Sequence, residues 1–256
     1  MPEALWEAGR SYMERVNFDT FAENYDQVHN KSITIAGEES VFFTELKIKL
    51  LHTYFGPNSK SHVLDYGCGT GRAASFFHQY FPTIKYDGCD LSTESIQHAQ
   101  TQLQNNPQNN SQNNPHQNSL NNHHNDTFFV VGSEPLVQKY DLIMAAVVFH
   151  HIPPDERHNI LKQLHSSLYD GGHLVIFEHN PHNPLTRKVV HDCPFDKDAI
   201  LLTPNEAKKI MVEACFTIEK LQYYFFYPKF LSFLRPTEKI LSKVPLGAQY
   251  MLVLRK

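Results

Sequence analysis

Short apolar runs alternate with helical stripes along most of this chain. Residues 61–66 (SHVLDY) form a strand-like run leading into glycines, and Ala73, Phe76, Phe77 and Tyr80 then recur at helical spacing before Pro82. The same reading predicts a strand over 84–89, a helix after Ser92 with Ile96, Ala99 and Leu103 on one face, and a strand over 127–131. Residues 140–147 are almost continuously apolar, as strands buried on both faces are. A helix bearing Ile160, Leu161, Leu164 and Leu168 is expected to stop at Gly171 and Gly172, with a strand over 173–178 behind it. Thr203, Pro204 and Glu206 have the spacing of a capping box with proline at the first helical position, and Ala207, Ile210, Met211 and Ala214 supply the stripe it needs. Two final strands, over 217–226 and 248–255, have no evident helix between them and are expected to pair antiparallel.

Repeated strand and helix units predict an α/β fold, a Rossmann-like doubly wound sheet that is mostly parallel, with ligands at the carboxyl ends of its strands. One segment breaks the pattern. Residues 104–125, QNNPQNNSQNNPHQNSLNNHHN, are an Asn/Gln-rich near-repeat with almost nothing to bury, read as a disordered insertion within one domain. Its histidines (His116, His123, His124) would make a poor metal site, because ordering such a segment costs much entropy.

Composition narrows the class. The 256 residues suit a single large domain, and a formal net charge of −4 gives no broad cationic surface for nucleic acid. The four cysteines form no Cys-x-x-Cys pair, the start of the chain lacks the features of a secretory signal, and no apolar run approaches the ~20 residues a membrane helix needs. A cytoplasmic protein with reduced thiols is expected, without stable membrane insertion; its oligomeric state is not legible.

The glycine turn carries the first chemistry. Gly67, Gly69 and Gly71 follow the strand directly, where a ligand can approach bare backbone. Their spacing is one residue shorter than the dinucleotide fingerprint, and Asp65 at the strand end would oppose a pyrophosphate. A carboxylate there suits a ligand bearing an ammonium and a sulfonium, and S-adenosyl-L-methionine has both. Asp90, nineteen residues after Gly71, stands where an acidic residue accepts hydrogen bonds from ribose hydroxyls; Ser92 beside it also suits a helix cap.

Taken together, VLDYGCGTGR, GCDLS, KYDLIMAAVVFHHI and LYDGGHLVIFEHNP resemble the successive motifs of the class I S-adenosylmethionine-dependent methyltransferases of small-molecule type. FDTFAENYD resembles the lid helix of many such enzymes. The resemblance implies a seven-stranded sheet with an antiparallel last strand, an N-terminal helical lid over 1–55 and a methyltransferase core over 56–256. It also implies that Asp65, Gly67, Cys68, Gly69 and Gly71 surround the methionine part, Asp90 holds the ribose, Leu91 lies against adenine and Tyr25 covers the sulfonium. Gly132, Ser133 and Glu134 replace the acidic residue common after the third strand, leaving Ser133 to meet the adenine amine.

Methyl transfer needs alignment and exclusion of water, and needs a base only if the acceptor must lose a proton. The polar residues at the ends of the fourth and fifth strands, His150, His151, Glu178, His179 and Asn180, are the candidates for that end of the site. Adjacent His150 and His151 should diverge, so that one faces the pocket. Residues 178–196 are read as a long polar loop, in which Arg187 could pair with an acidic acceptor; His179, His182, His191 and Asp192 fit no recognised metal spacing, and no metal is assigned. Aromatics over 223–233 followed by Arg235, Lys239 and Lys243 suit either a pocket cover or peripheral membrane contact. The expected activity is methyl transfer to a small-molecule acceptor, which a hydrophobic or lipid-linked compound would satisfy. The alternatives are an NAD(P)-dependent oxidoreductase and a non-catalytic module that binds S-adenosylmethionine.

Overall fold

A computed structural model describes residues 36–105, 126–132, 136 and 138–256. Seven strands form one sheet in the order β3-β2-β1-β4-β5-β7-β6. They are β1 (His62–Tyr66), β2 (Lys85–Asp90), β3 (Thr127–Val130), β4 (Tyr140–Ala146), β5 (Leu168–His179), β6 (Thr217–Tyr224) and β7 (Gln249–Arg255). Strands β1 to β5 pair parallel, whereas β7 runs antiparallel between β5 and β6. The order reverses between β1 and β4, and that crevice is where the ligand site of such a sheet lies.

Alternation along the central strands builds two apolar layers. Ile143 and Ala145 of β4 join Leu174 and Ile176 of β5 on one face, while Leu142, Met144, Val175 and Phe177 join on the other. The first face is covered by α4 (Pro154–Ser166) and α6 (Pro204–Glu213), through Leu161, Leu164, Ala207 and Met211. The second is covered by α1 (Ser40–Phe55), α2 (Ala73–Tyr80) and α3 (Thr93–Asn105), through Phe43, Ile48, Leu51, Phe77 and Ile96. The apolar side of α1 therefore belongs to the core, although it lies within the expected lid segment 1–55. The rest of that segment up to residue 35, with Tyr25, lies outside the described residues, as do 106–125 of the insertion and Ser133.

Thr203 caps α6 as its sequence predicts: its side chain accepts from Glu206 N, and the Glu206 carboxylate accepts from Thr203 N. Two other expectations are corrected. Helix α4 ends at Ser166, because Leu168 already pairs with Tyr140 as the start of β5. Gly171, at φ +78°, sits inside that strand beside a register shift between Tyr140 and Leu142; a glycine inside a strand marks such an irregularity as readily as a helix stop. Residues 178–196 are not a loop throughout, since they hold α5 (Pro184–Asp192) and a 3-10 turn, Pro194–Asp196. Asn183 caps α5 by accepting from Thr186 N, with Pro184 at the first helical position.

Candidate active site

A cavity of about 430 Å³ opens at the carboxyl ends of β1, β2, β4 and β5. Asp65, Gly67, Cys68, Gly69, Asp90 and Leu91 line one end, and His150, His151, His179 and Asp196 line the other.

The glycines of the first turn divide their labour. All three have positive φ, but a Cβ on Gly67 would stand 2.4 Å from Val148 Cγ2, and one on Gly71 would stand 2.6 Å from Phe128. Those two residues let the turn pack against its neighbours, and Gly71 lies outside the cavity lining. A Cβ on Gly69 would meet nothing within 4 Å, so this is the position that leaves room for a ligand against the backbone. Asp90 braces the same turn. Its Oδ2 accepts from Gly69 N at 2.8 Å and its Oδ1 from Ser92 N at 2.9 Å. A carboxylate oxygen can accept more than one hydrogen bond, so support of the turn does not exclude ribose binding.

Asp65 is buried and accepts a hydrogen bond of 2.6 Å from Tyr86 Oη. Burial raises its pKa to about 7, with Asp90 adding to the rise, while Tyr86 and Lys47 oppose it. Lys47, on the buried side of α1, lines the same cavity, and burial lowers its pKa to about 8 against the attraction of Glu178 and Asp65. Nothing in the sequence pointed to Lys47, because a lysine in an amphipathic helix ordinarily faces water.

At the other end, β4 gives way to a turn in which Val147 takes φ +63°, an unusual conformation for a β-branched residue. Glu178 holds the residues beyond it. Its Oε1 accepts from Val148 N at 3.1 Å and from Phe149 N at 2.7 Å, and its Oε2 lies 2.7 Å from His150 Nδ1. Glu178 is fully buried and does not line the cavity, so it positions His150 rather than facing an acceptor. Asp196 Oδ1 lies 3.4 Å from Nε2 of both His150 and His151. Burial alone would lower the His150 pKa, but Glu178 and Asp196 outweigh it and raise the value to about 9. Burial and the charge on His150 push His151 down to about 3 and His179 down to about 4. Glu178 and Asp196 are themselves held below the ordinary carboxylate range, the histidines overcoming the cost of burial.

Against expectation, His150 and His151 do not diverge: both reach Asp196, with ring centroids 4.0 Å apart. The turn beyond β4 has replaced strand alternation there. Asp196 itself was missed, because its approach depends on the 3-10 turn after α5. Arg187 is exposed and does not line the cavity, and His182, His191 and Asp192 do not gather with His179 into a ligand set among the described residues.

Residues 64–174 match a family model described as a methyltransferase domain. This segment contains the glycine turn, Asp90, His150 and His151. The chain therefore carries a methyltransferase domain over that segment. The chain is 21% identical over 199 residues to a carboxy-S-adenosyl-L-methionine synthase of Campylobacter curvus (strain 525.92), covering 77% of this chain and 72% of that one. Its fold is similar to that of a SAM-dependent methyltransferase from Archaeoglobus fulgidus, with a TM-score of 0.59 and 15% identity over 85% of this chain and 95% of the other. It is similar too to magnesium protoporphyrin IX methyltransferase from Synechocystis PCC 6803 with bound SAM, with a TM-score of 0.58, 17% identity and coverage of 96% and 94%. The open face of Gly69 and the buried Asp65 suit S-adenosylmethionine, the molecule bound in the Synechocystis structure. Among the described residues no helix is long and apolar enough to cross a membrane.

Proposed function

We propose that this chain methylates a small-molecule acceptor with a hydrophobic or lipid-linked body. The observation that carries this reading is the surface beside the cavity. Phe226 and Pro228 line the cavity, and the 3-10 helix Lys229–Thr237 and α7 (Glu238–Leu241) continue directly from them. There Phe230, Phe233 and Ile240 are 76%, 73% and 83% exposed, interleaved with exposed Lys229, Lys239 and Lys243. Large apolar side chains among cations are suited to the boundary between lipid headgroups and acyl chains.

In this reading Asp65 receives the ammonium of the cofactor's methionine part, Lys47 its carboxylate, Asp90 the ribose hydroxyls and Leu91 the adenine face. When bound, the cofactor supplies an electrophilic methyl group. The protein aligns the acceptor with it and excludes water. His151 and His179 are the neutral imidazoles at the acceptor end: both line the cavity, where either can accept a hydrogen bond from an acceptor hydroxyl and orient it. His150, already charged, and Glu178 behind it keep that end in place.

The test is transfer from methyl-labelled S-adenosylmethionine to a host extract split into organic and aqueous fractions. Label in the organic fraction, reduced several-fold by Phe230→Ser with Phe233→Ser at unchanged S-adenosylhomocysteine affinity, is the expected result. Label confined to water-soluble products would overturn the lipid-linked acceptor.

A further inference from the structure

The polar cluster at the acceptor end is built more rigidly than orienting an acceptor requires. His150 is buried, and Glu178 Oε2, 2.7 Å from its Nδ1, fixes the ring. A carboxylate that engages one imidazole nitrogen directs the other as a ligand, the arrangement found behind many metal-bound histidines. That second nitrogen, His150 Nε2, is buried without a hydrogen-bond partner among the described residues. Asp196 Oδ1 stands at ion-pair distance from it but does not complete a hydrogen bond.

The separations have a specific meaning. His150 Nε2 and His151 Nε2 each lie 3.4 Å from Asp196 Oδ1, and the three atoms fall within 4.8 Å of one another. A tetrahedral site with bonds of about 2.0–2.1 Å has edges between ligands of about 3.3–3.4 Å. The backbone holds these positions without help from an ion: Ile200 N donates to His150 O at 2.8 Å, and Arg157 donates to both Ile152 O and Ile200 O. Glu178 and Asp196 together also balance the charge of a dication.

We propose that His150, His151 and Asp196 form a three-ligand site for a divalent transition metal, zinc fitting the donor set best, with its fourth position open to the cavity. Imidazole with one carboxylate suits zinc better than the hard, oxygen-seeking cations. All three residues line the cavity, so the fourth position is available to an oxygen or nitrogen of the acceptor. That use of the site rests on the acceptor reading above, whereas binding of the ion does not. With the metal in place, His150 gives up its Nε2 proton to solvent and becomes a ligand together with His151, while His179 remains a neutral imidazole beside them.

The experiment titrates the chelator-treated full chain with zinc chloride by calorimetry and repeats the titration on His151→Ala and Asp196→Asn. We expect one ion per chain, bound at least tenfold more weakly by each variant, with S-adenosylhomocysteine affinity within a few-fold of wild type in both. Cobalt(II) should give the intense visible bands of four-coordinate geometry in the wild type, and Asp196→Asn should lose them. Absence of stoichiometric zinc binding in the wild type, or equal binding by both variants, would overturn the site. Should a variant misfold, the cobalt spectrum of the wild type decides, since its lack of four-coordinate bands has the same force. Zinc failure with intact S-adenosylhomocysteine binding removes only the metal site, while loss of S-adenosylhomocysteine binding in the wild type removes the cofactor assignment.

Discussion

Glu178 Oε2 lies 2.7 Å from Nδ1 of His150, and both side chains are buried between the ends of β4 and β5. The other carboxylate oxygen accepts the N–H groups of Val148 and Phe149, so one side chain supports both the turn after Val147 and the imidazole that follows it. Removing one partner of a buried, hydrogen-bonded pair leaves the other uncompensated, which typically costs about 3–5 kcal/mol. Glu178→Ala should therefore lose most of the chain's margin of stability, and chemical denaturation would measure it. A loss below about 1 kcal/mol would mean that water replaces the carboxylate.

The same pair makes a pH prediction. The folded-state pKa of His150 is raised to about 9, above the ~6.5 of an unfolded chain, so its contribution is complete below about pH 6.5 and is lost as pH rises to about 9. Glu178, held below its ordinary value, acts in the opposite sense and loses its contribution only as acid protonates it. The stability difference between wild type and His150→Gln, followed by urea denaturation, should shrink between pH 6.5 and 9. A difference independent of pH over that window would show that His150 is neutral.

The two ends of the cavity differ in how far they can be read from sequence. At the cofactor end, the strand, the turn and Asp90 are consecutive or regularly spaced, so local chemistry suffices. At the acceptor end, His150 and Glu178 were visible as strand-end residues, but Asp196 arrives through α5 and its 3-10 turn. The cap at Asn183 and Pro184 that starts α5 was missed, because the polar composition around it reads as a loop. Lys47 was illegible for a different reason, since a helix stripe does not reveal which of its members faces a cavity. Leu168 has the spacing of a helical residue but lies in β5, because tertiary pairing with Tyr140 outweighs local periodicity.

Gly67 and Gly69 should respond oppositely to a methyl group. In Gly67→Ala the added carbon meets Val148 Cγ2 at 2.4 Å, and overpacking costs typically about 1–3 kcal/mol, so the melting temperature should fall clearly. In Gly69→Ala the carbon meets open space within the fold, leaving only the penalty of the left-handed backbone, about 1–2 kcal/mol. Its main effect should be at least a tenfold loss of S-adenosylhomocysteine affinity, measured by calorimetry. Unchanged affinity would move the cofactor away from this turn.

Affinity for S-adenosylhomocysteine should peak in a narrow range of pH. On the proposed binding mode, Asp65 must be ionised to hold the ammonium, and burial places its pKa at about 7. Below that value the carboxyl is protonated and the ammonium loses its partner, so affinity should fall by up to tenfold per unit of pH. Lys47 must be protonated to hold the carboxylate, and burial has lowered its pKa to about 8, so affinity should fall again above that value. Asp65→Asn separates the two limbs, since it keeps the size of the side chain and removes the group that titrates on the acid side. Calorimetry across pH 5 to 10 should show a maximum between about 7 and 8 for the wild type. The variant should bind more weakly at the maximum, with no acid limb and with the alkaline limb retained. A variant whose profile matches the wild type would show that the ammonium is held elsewhere.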